Sequence, residues 1–190
     1  MNIFALDSSP VLAAQYQCDK HVVKMIVESA QMLCTAHRLL DGTMSIVDKF
    51  SSKTGKTRKS KIWQLADKQL DAVLYSVCHQ NHPCTIWTAE SLANYMWHYD
   101  HFCALCDEYT HRYGKKHMTD TKLRFVLDGA PQNIPDIPQT PFRLAMQSQP
   151  QCMDRNDPIT SYRAFYQTKQ VSFTMKWTNR AKPDWFIMNT

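Results

Sequence analysis

No apolar run in this chain is long enough to cross a bilayer, and its opening, Met-Asn-Ile-Phe-Ala-Leu-Asp, has neither a basic cluster nor a cleavable apolar stretch. The expected location is the cytoplasm. Internal repeats are lacking, which sets solenoids aside. No stretch alternates apolar and polar residues strongly enough to compete with helical spacing, so the expected class is all-α. No break in composition divides the 190 residues, and a single domain over 1–190 is expected. Paired zinc-finger or zinc-ribbon cysteine spacings are missing as well. Cys78, His79, His82 and Cys84, then His98, His101, Cys103 and Cys106, lie close together. Cys103 and Cys106 fall on the apolar side of their helix, so buried thiols explain them better than zinc, and no metal or cofactor is expected. The seven cysteines are an odd number, consistent with free thiols in a reducing compartment.

Hydrophobic residues make up 44% and charged residues 21%, a balance that argues against global disorder. The net charge of +5 is compatible with a polyanionic partner. The most informative stretch is Cys18 to Leu33. Gln17, His21, Lys24, Glu28 and Gln31 recur at steps of four and three and form one polar stripe on a helix. Val22, Val23, Met25, Ile26, Val27, Ala30, Met32 and Leu33 cover most of the remaining circumference, so the helix should be largely buried, with its stripe lining a cleft. An imidazole, an ammonium and a carboxylate within mutual reach are ingredients of acid–base chemistry. The plain alternative is an ordinary Lys24–Glu28 ion pair on a solvated edge.

In chain order, Ser9-Pro10 supplies a cap and a proline at the first helical position, and the first helix is expected to run to Asp41-Gly42 with a kink near Cys34 to Ala36. Asp48 to Lys61, with Lys49, Lys53, Lys56, Arg58, Lys59 and Lys61, reads as a basic loop able to grip phosphates, or simply as a solvated one. Its Gly-Lys-Thr is not a phosphate-binding loop, because the earlier glycine and preceding strand are missing. A second helix is expected over Trp63 to Val77, and a third from about Cys84 to Tyr113, ended by Gly114. A short helix over Thr119 to Leu127 precedes a proline-rich crossing loop with Pro131, Pro135, Pro138 and Pro141. The last helix starts at Asp157-Pro158, giving about five helices in all.

Several of these segments resemble the pyrimidine-dimer DNA glycosylase (endonuclease V) superfamily, in particular its uncharacterised phage and bacterial relatives. The shared features are Asp19-Lys20-His21, Lys24, Glu28 and Gln31-Met32-Leu33 in the first helix, and His82-Pro83 with Trp87 leading into a long helix. The characterised glycosylases are similar in Leu12-Ala13-Ala14-Gln15, in Gly55-Lys56 and in the closing Pro183-Asp184-Trp185-Phe186. The resemblance implies a helical DNA-repair fold in which the α-amine of the first residue attacks a sugar C1′ and forms a Schiff base. A nearby glutamate supports the chemistry, and basic residues hold phosphates. An α-amine, with an ordinary pKa of about 7.7–8.0, keeps a useful neutral fraction near pH 7.

In this chain the amine is that of Met1, or of Asn2 were Met1 removed. His21-Val22 stands where the glycosylases carry an Arg-Glu pair, so Glu28 is the expected substitute carboxylate, with Asp19 second. The expected catalytic set is thus Glu28, His21, Lys24, Asp19, Met1 and Asn2. The expected DNA contacts are Lys20, Lys56, Arg58, Lys59, Lys61, Arg180, Lys182 and Trp185. Duplex DNA is the expected partner of a monomeric glycosylase or lyase for damaged or modified pyrimidines. The alternatives are a DNA-binding module without chemistry, and a phage transferase acting on a hypermodified base.

Overall fold

The computed structural model describes residues 1–189. The lead, residues 1–8, is neither helix nor strand, yet Ile3, Phe4, Ala5 and Leu6 are all buried. Helix α1 (Pro10–Gln15) follows the Ser9 cap, and α2 spans Asp19–Asp41. The expected first helix is therefore two, broken at Tyr16–Cys18 and continuous through Cys34–Ala36. Tertiary partners take over the backbone at the break. The Cys18 N–H donates to the Tyr166 hydroxyl at 2.8 Å, the Asp19 N–H to the Lys176 carbonyl at 2.8 Å, and the Gln17 amide reaches the Ile3 carbonyl at 3.2 Å.

The expectation of an all-α fold is overturned next. Residues read as a basic loop form a two-stranded antiparallel sheet, β1 (Thr43–Ser51) and β2 (Lys56–Gln64), closed by a turn with Gly55 at φ +64°. The chain is mixed α/β, with seven α-helices and this one hairpin among the described residues. The strands project largely into solvent on both faces. The alternation of Met44, Ile46 and Phe50 with polar neighbours along β1 is interrupted at Val47-Asp48 and is not continued in β2, so it falls short of the signal a half-buried strand normally gives.

Helix α3 (Lys68–Val73) covers only the middle of the helix expected over Trp63 to Val77. Arg38 explains why the flanks are not helical. Its guanidinium binds the Asp71 carboxylate and the carbonyls of Trp63, Asp71, Leu74 and Tyr75, fastening extended backbone on either side of α3 to the end of α2. Helices α4 (Pro83–Glu90) and α5 (Leu92–Tyr113) divide the expected third helix at Ser91, which is extended and caps α5 through Asn94 N–H. Gly114, at φ +66°, ends α5 as expected. The short α6 (Met118–Leu123) and the irregular proline-rich crossing follow, and α7 (Pro158–Gln167) starts behind Asp157.

Helix α2 packs against α4 and α5, and α1 lies along α5. Met25, Ile26, Met32 and Leu33 are at most 1% exposed, and burial of such side chains contributes about 1.5–3 kcal/mol each. Packing, more than helix propensity, therefore holds α2 in place. No helix among the described residues is long and apolar enough to cross a membrane.

Candidate active site

The site is built from the lead and the middle of α2. Phe4 adopts φ +54°, a left-handed conformation that costs a non-glycine residue roughly 1–2 kcal/mol. Packing compensates: its ring stacks on His21 at 4.8 Å and meets Tyr166 edge-on at 5.1 Å. Asn2 locks the same turn, its side chain accepting from Phe4 N–H at 2.8 Å and donating to the Ala145 carbonyl at 3.0 Å. The lead is thereby bent so that its first two residues meet Glu28.

Glu28 is buried, and its two oxygens face different partners. Oε2 accepts the Asn2 N–H at 3.0 Å and lies 3.6 Å from the α-amine of Met1, while Oε1 pairs with Lys24 Nζ at 3.1 Å. The Met1 side chain is 3% exposed, although the residue as a whole is only half-buried. Its thioether is the anchor, and the exposed part is the backbone end that carries the amine. A carboxylate set between an α-amine and an ammonium can accept and return a proton from either.

His21 is held differently from the expectation that it shares the site with Glu28. The Tyr166 hydroxyl accepts from Cys18 N–H at 2.8 Å and shares a hydrogen bond with His21 Nδ1 at 2.7 Å. Burial, reinforced by the charges of Lys169, Lys24 and Lys20, lowers the His21 pKa to about 3. It is a neutral ring packed between Phe4, Tyr166 and Phe173. Its role is to support Phe4 and hence the lead.

His82 was not among the residues expected at the site, although the His-Pro pair was visible. Its Nδ1 caps α4 by accepting Cys84 N–H at 3.2 Å. Its pKa is lowered by burial first, then by the charges of the chain terminus and His79. Lys169 was also missed. It stands 3.7 Å above the Phe165 ring, its pKa lowered by burial and by Lys24. It lines a groove of about 620 Å³ together with Gln149, Gln167, Gln170 and Asn189. That groove does not include Glu28.

The remaining candidates are distributed away from Glu28. Asp19 receives Thr178 N–H, Thr178 Oγ1 and Arg112 Nη1 at 2.9, 2.7 and 2.9 Å. Burial alone would raise its pKa, but these partners hold it below the ordinary range. Lys20 lies 4.4 Å above the Phe173 ring. Arg180 grips Glu108 with two nitrogens, Lys182 Nζ donates to the Phe186 carbonyl at 2.6 Å, and Trp185 packs edge-on against Tyr16 under Arg163. Arg180 and Trp185 fasten the C-terminal segment to the body, and Lys182 closes a turn within it. Lys56, Arg58, Lys59 and Lys61 all belong to β2. Among the described residues, no three His, Cys, Asp or Glu side chains converge as metal ligands.

Comparison of the chain with protein-family models, with curated proteins and with solved structures returns no match.

Proposed function

We propose that the chain is a DNA glycosylase with lyase activity on damaged or modified pyrimidines, using the Met1 α-amine as nucleophile and Glu28 as its proton acceptor and donor. The observation that carries this reading is the 3.6 Å approach of the amine to Glu28 Oε2, with the amine at the exposed end of an otherwise anchored residue. An adjacent base is what an amine nucleophile needs. The neutral nitrogen attacks C1′ as the C1′–N bond to the base breaks, and the base leaves with the bonding pair and takes up a proton. Glu28 removes a proton from the attacking nitrogen. Opening of the sugar ring then yields a Schiff base, and β-elimination expels the 3′ phosphate. Lys24 binds the other carboxylate oxygen, so the two oxygens of Glu28 are divided between the ammonium and the amine. Asn2 fixes the angle at which the amine is presented, through its N–H to Glu28 and its side chain to Phe4.

The test is single-turnover strand cleavage of duplexes carrying an abasic site, a pyrimidine dimer or a modified pyrimidine. The wild type should cleave at least one of them, and Glu28→Gln should fold and bind DNA but turn over about 10²-fold more slowly or worse. Equal rates would remove Glu28 from the mechanism.

A further inference from the structure

The hairpin carries an unequal share of the charge. Residues 43–64 hold Lys49, Lys53, Lys56, Arg58, Lys59 and Lys61 against a single acid, Asp48. That excess equals the +5 of the whole chain, so the remaining residues balance to zero. None of the ion pairs among the described residues uses a hairpin cation. The register sorts the side chains. Met44 pairs with Trp63, Ile46 with Lys61, Asp48 with Lys59 and Phe50 with Thr57 on one face, while Lys49 pairs with Arg58 and Ser51 with Lys56 on the other. On the first face Met44, Ile46 and Phe50 are 45%, 59% and 69% exposed, so three apolar side chains in register stand in water among lysines. Nothing in folding favours that arrangement.

We infer that the hairpin is a ribbon that lies in a groove of duplex DNA, its cations on the phosphate walls and Phe50, near its tip, wedged against a base step. This rests on the DNA reading proposed above and assigns the gripping of the duplex to a separate element. A two-stranded ribbon fits the groove of a B-form duplex, and apolar wedges beside cations are a recurrent way of unstacking a step. The charge is complementary to a polyanion and carries no shape selectivity of its own. The root of the ribbon stands about 20 Å from Glu28, counted along α2 at 1.5 Å per residue, and the ribbon extends about 30 Å further at its full length. Its contacts therefore fall on base pairs flanking the reacting nucleotide, leaving the nucleotide itself to Met1 and Glu28. Bending or unstacking the flank lowers the cost of extruding that nucleotide.

The test is equilibrium binding of the full chain to a 30-base-pair duplex, about 30 being enough to span both elements, across a salt series, with 2-aminopurine reporting unstacking. The triple variant Lys49→Ala, Lys56→Ala, Arg58→Ala should flatten the slope of log affinity against log salt by about 0.9 per lost phosphate contact. Phe50→Ala should weaken binding by about tenfold with the slope unchanged and abolish the 2-aminopurine signal, and Phe50→Trp should restore both. Unchanged slope and affinity in these variants would overturn the inference. So would ribbon-dependent binding to phosphatidylserine vesicles or to duplex RNA in preference to duplex DNA. Borohydride trapping of the wild type on the same duplex carrying an abasic site, run beside the series, separates the two readings. Ribbon effects without any Schiff base in wild type would sink the chemistry alone, and a Schiff base without ribbon effects would sink the ribbon alone.

Discussion

The α-amine of Met1 lies 3.6 Å from Oε2 of Glu28, and the neighbouring Asn2 N–H donates to the same oxygen at 3.0 Å. An amide in place of the amine keeps the second contact and loses the first. Adding one glycine before Met1 should therefore abolish strand cleavage while changing duplex affinity by less than about twofold, since a single exposed charge contributes little to binding. Cleavage by the extended chain at the wild-type rate would show that the amine is not used.

Asn2 ties the lead to two places at once, through Phe4 N–H and the Ala145 carbonyl. Asn2→Ala leaves both backbone groups without these partners and frees Phe4 from its left-handed turn. The expected cost is about 1–3 kcal/mol of stability, or roughly 2–10 °C in Tm, with a larger relative loss of cleavage. A Tm unchanged within a degree would mean that packing alone bends the lead.

Four buried histidines, His21, His37, His98 and His101, give the stability a pH dependence. Burial lowers the pKa of His21 to about 3 and of His101 to about 3, and lowers that of His37 to about 4 against a partly opposing pull from Asp41. Unfolded, each titrates near 6.5. The unfolded chain then binds more protons in the window between, so stability is complete above about pH 6.5 and is lost as pH falls toward the folded values. Urea titrations between pH 7 and 5 should show it falling, by at most about 1.4 kcal/mol per pH unit for each histidine that takes up a proton on unfolding. His37→Gln should reduce that slope. A flat profile from pH 7 to 5 would contradict the burial of neutral rings.

Arg38 joins α2, the root of the hairpin and the backbone around α3 through one guanidinium, which also pairs with Asp71 at 2.6 Å. Arg38→Met would leave four carbonyls and a carboxylate without it, a loss of about 3–5 kcal/mol for breaking a buried pair. Hydrogen exchange should localise the loosening to residues 60–78. Uniform loosening of the whole chain would show that α3 and the hairpin root do not form a separate unit of stability.

The polar stripe of α2, the three proline-led helix starts and the Gly114 stop follow from side-chain spacing and cap chemistry, and they were legible for that reason. The hairpin was not. Lys, Ser, Thr and Gly dominate Ser51 to Lys61, and the alternation of Met44, Ile46 and Phe50 in β1 is interrupted at Val47-Asp48 and not continued in β2. The break at Tyr16–Cys18 was equally hidden, since it depends on Tyr166 and Lys176, residues more than 140 positions away. Within the site, Glu28 and Lys24 could be paired from their spacing. Met1 and Asn2 were expected beside Glu28 only through the family resemblance; that His21 turns to Tyr166 is decided by the fold of the lead, which has no periodic pattern. The acid and cation expected elsewhere, Asp19 and Arg180, look alike in sequence whether they face solvent or, as here, hold two segments together.

The most direct test of the central claim is borohydride trapping on a duplex containing an abasic site, followed by peptide mapping. The account predicts a covalent adduct on the α-amine of Met1, absent when a residue precedes Met1 and sharply reduced in Glu28→Gln. DNA binding without any adduct, or an adduct on a lysine such as Lys24 or Lys169, would contradict it.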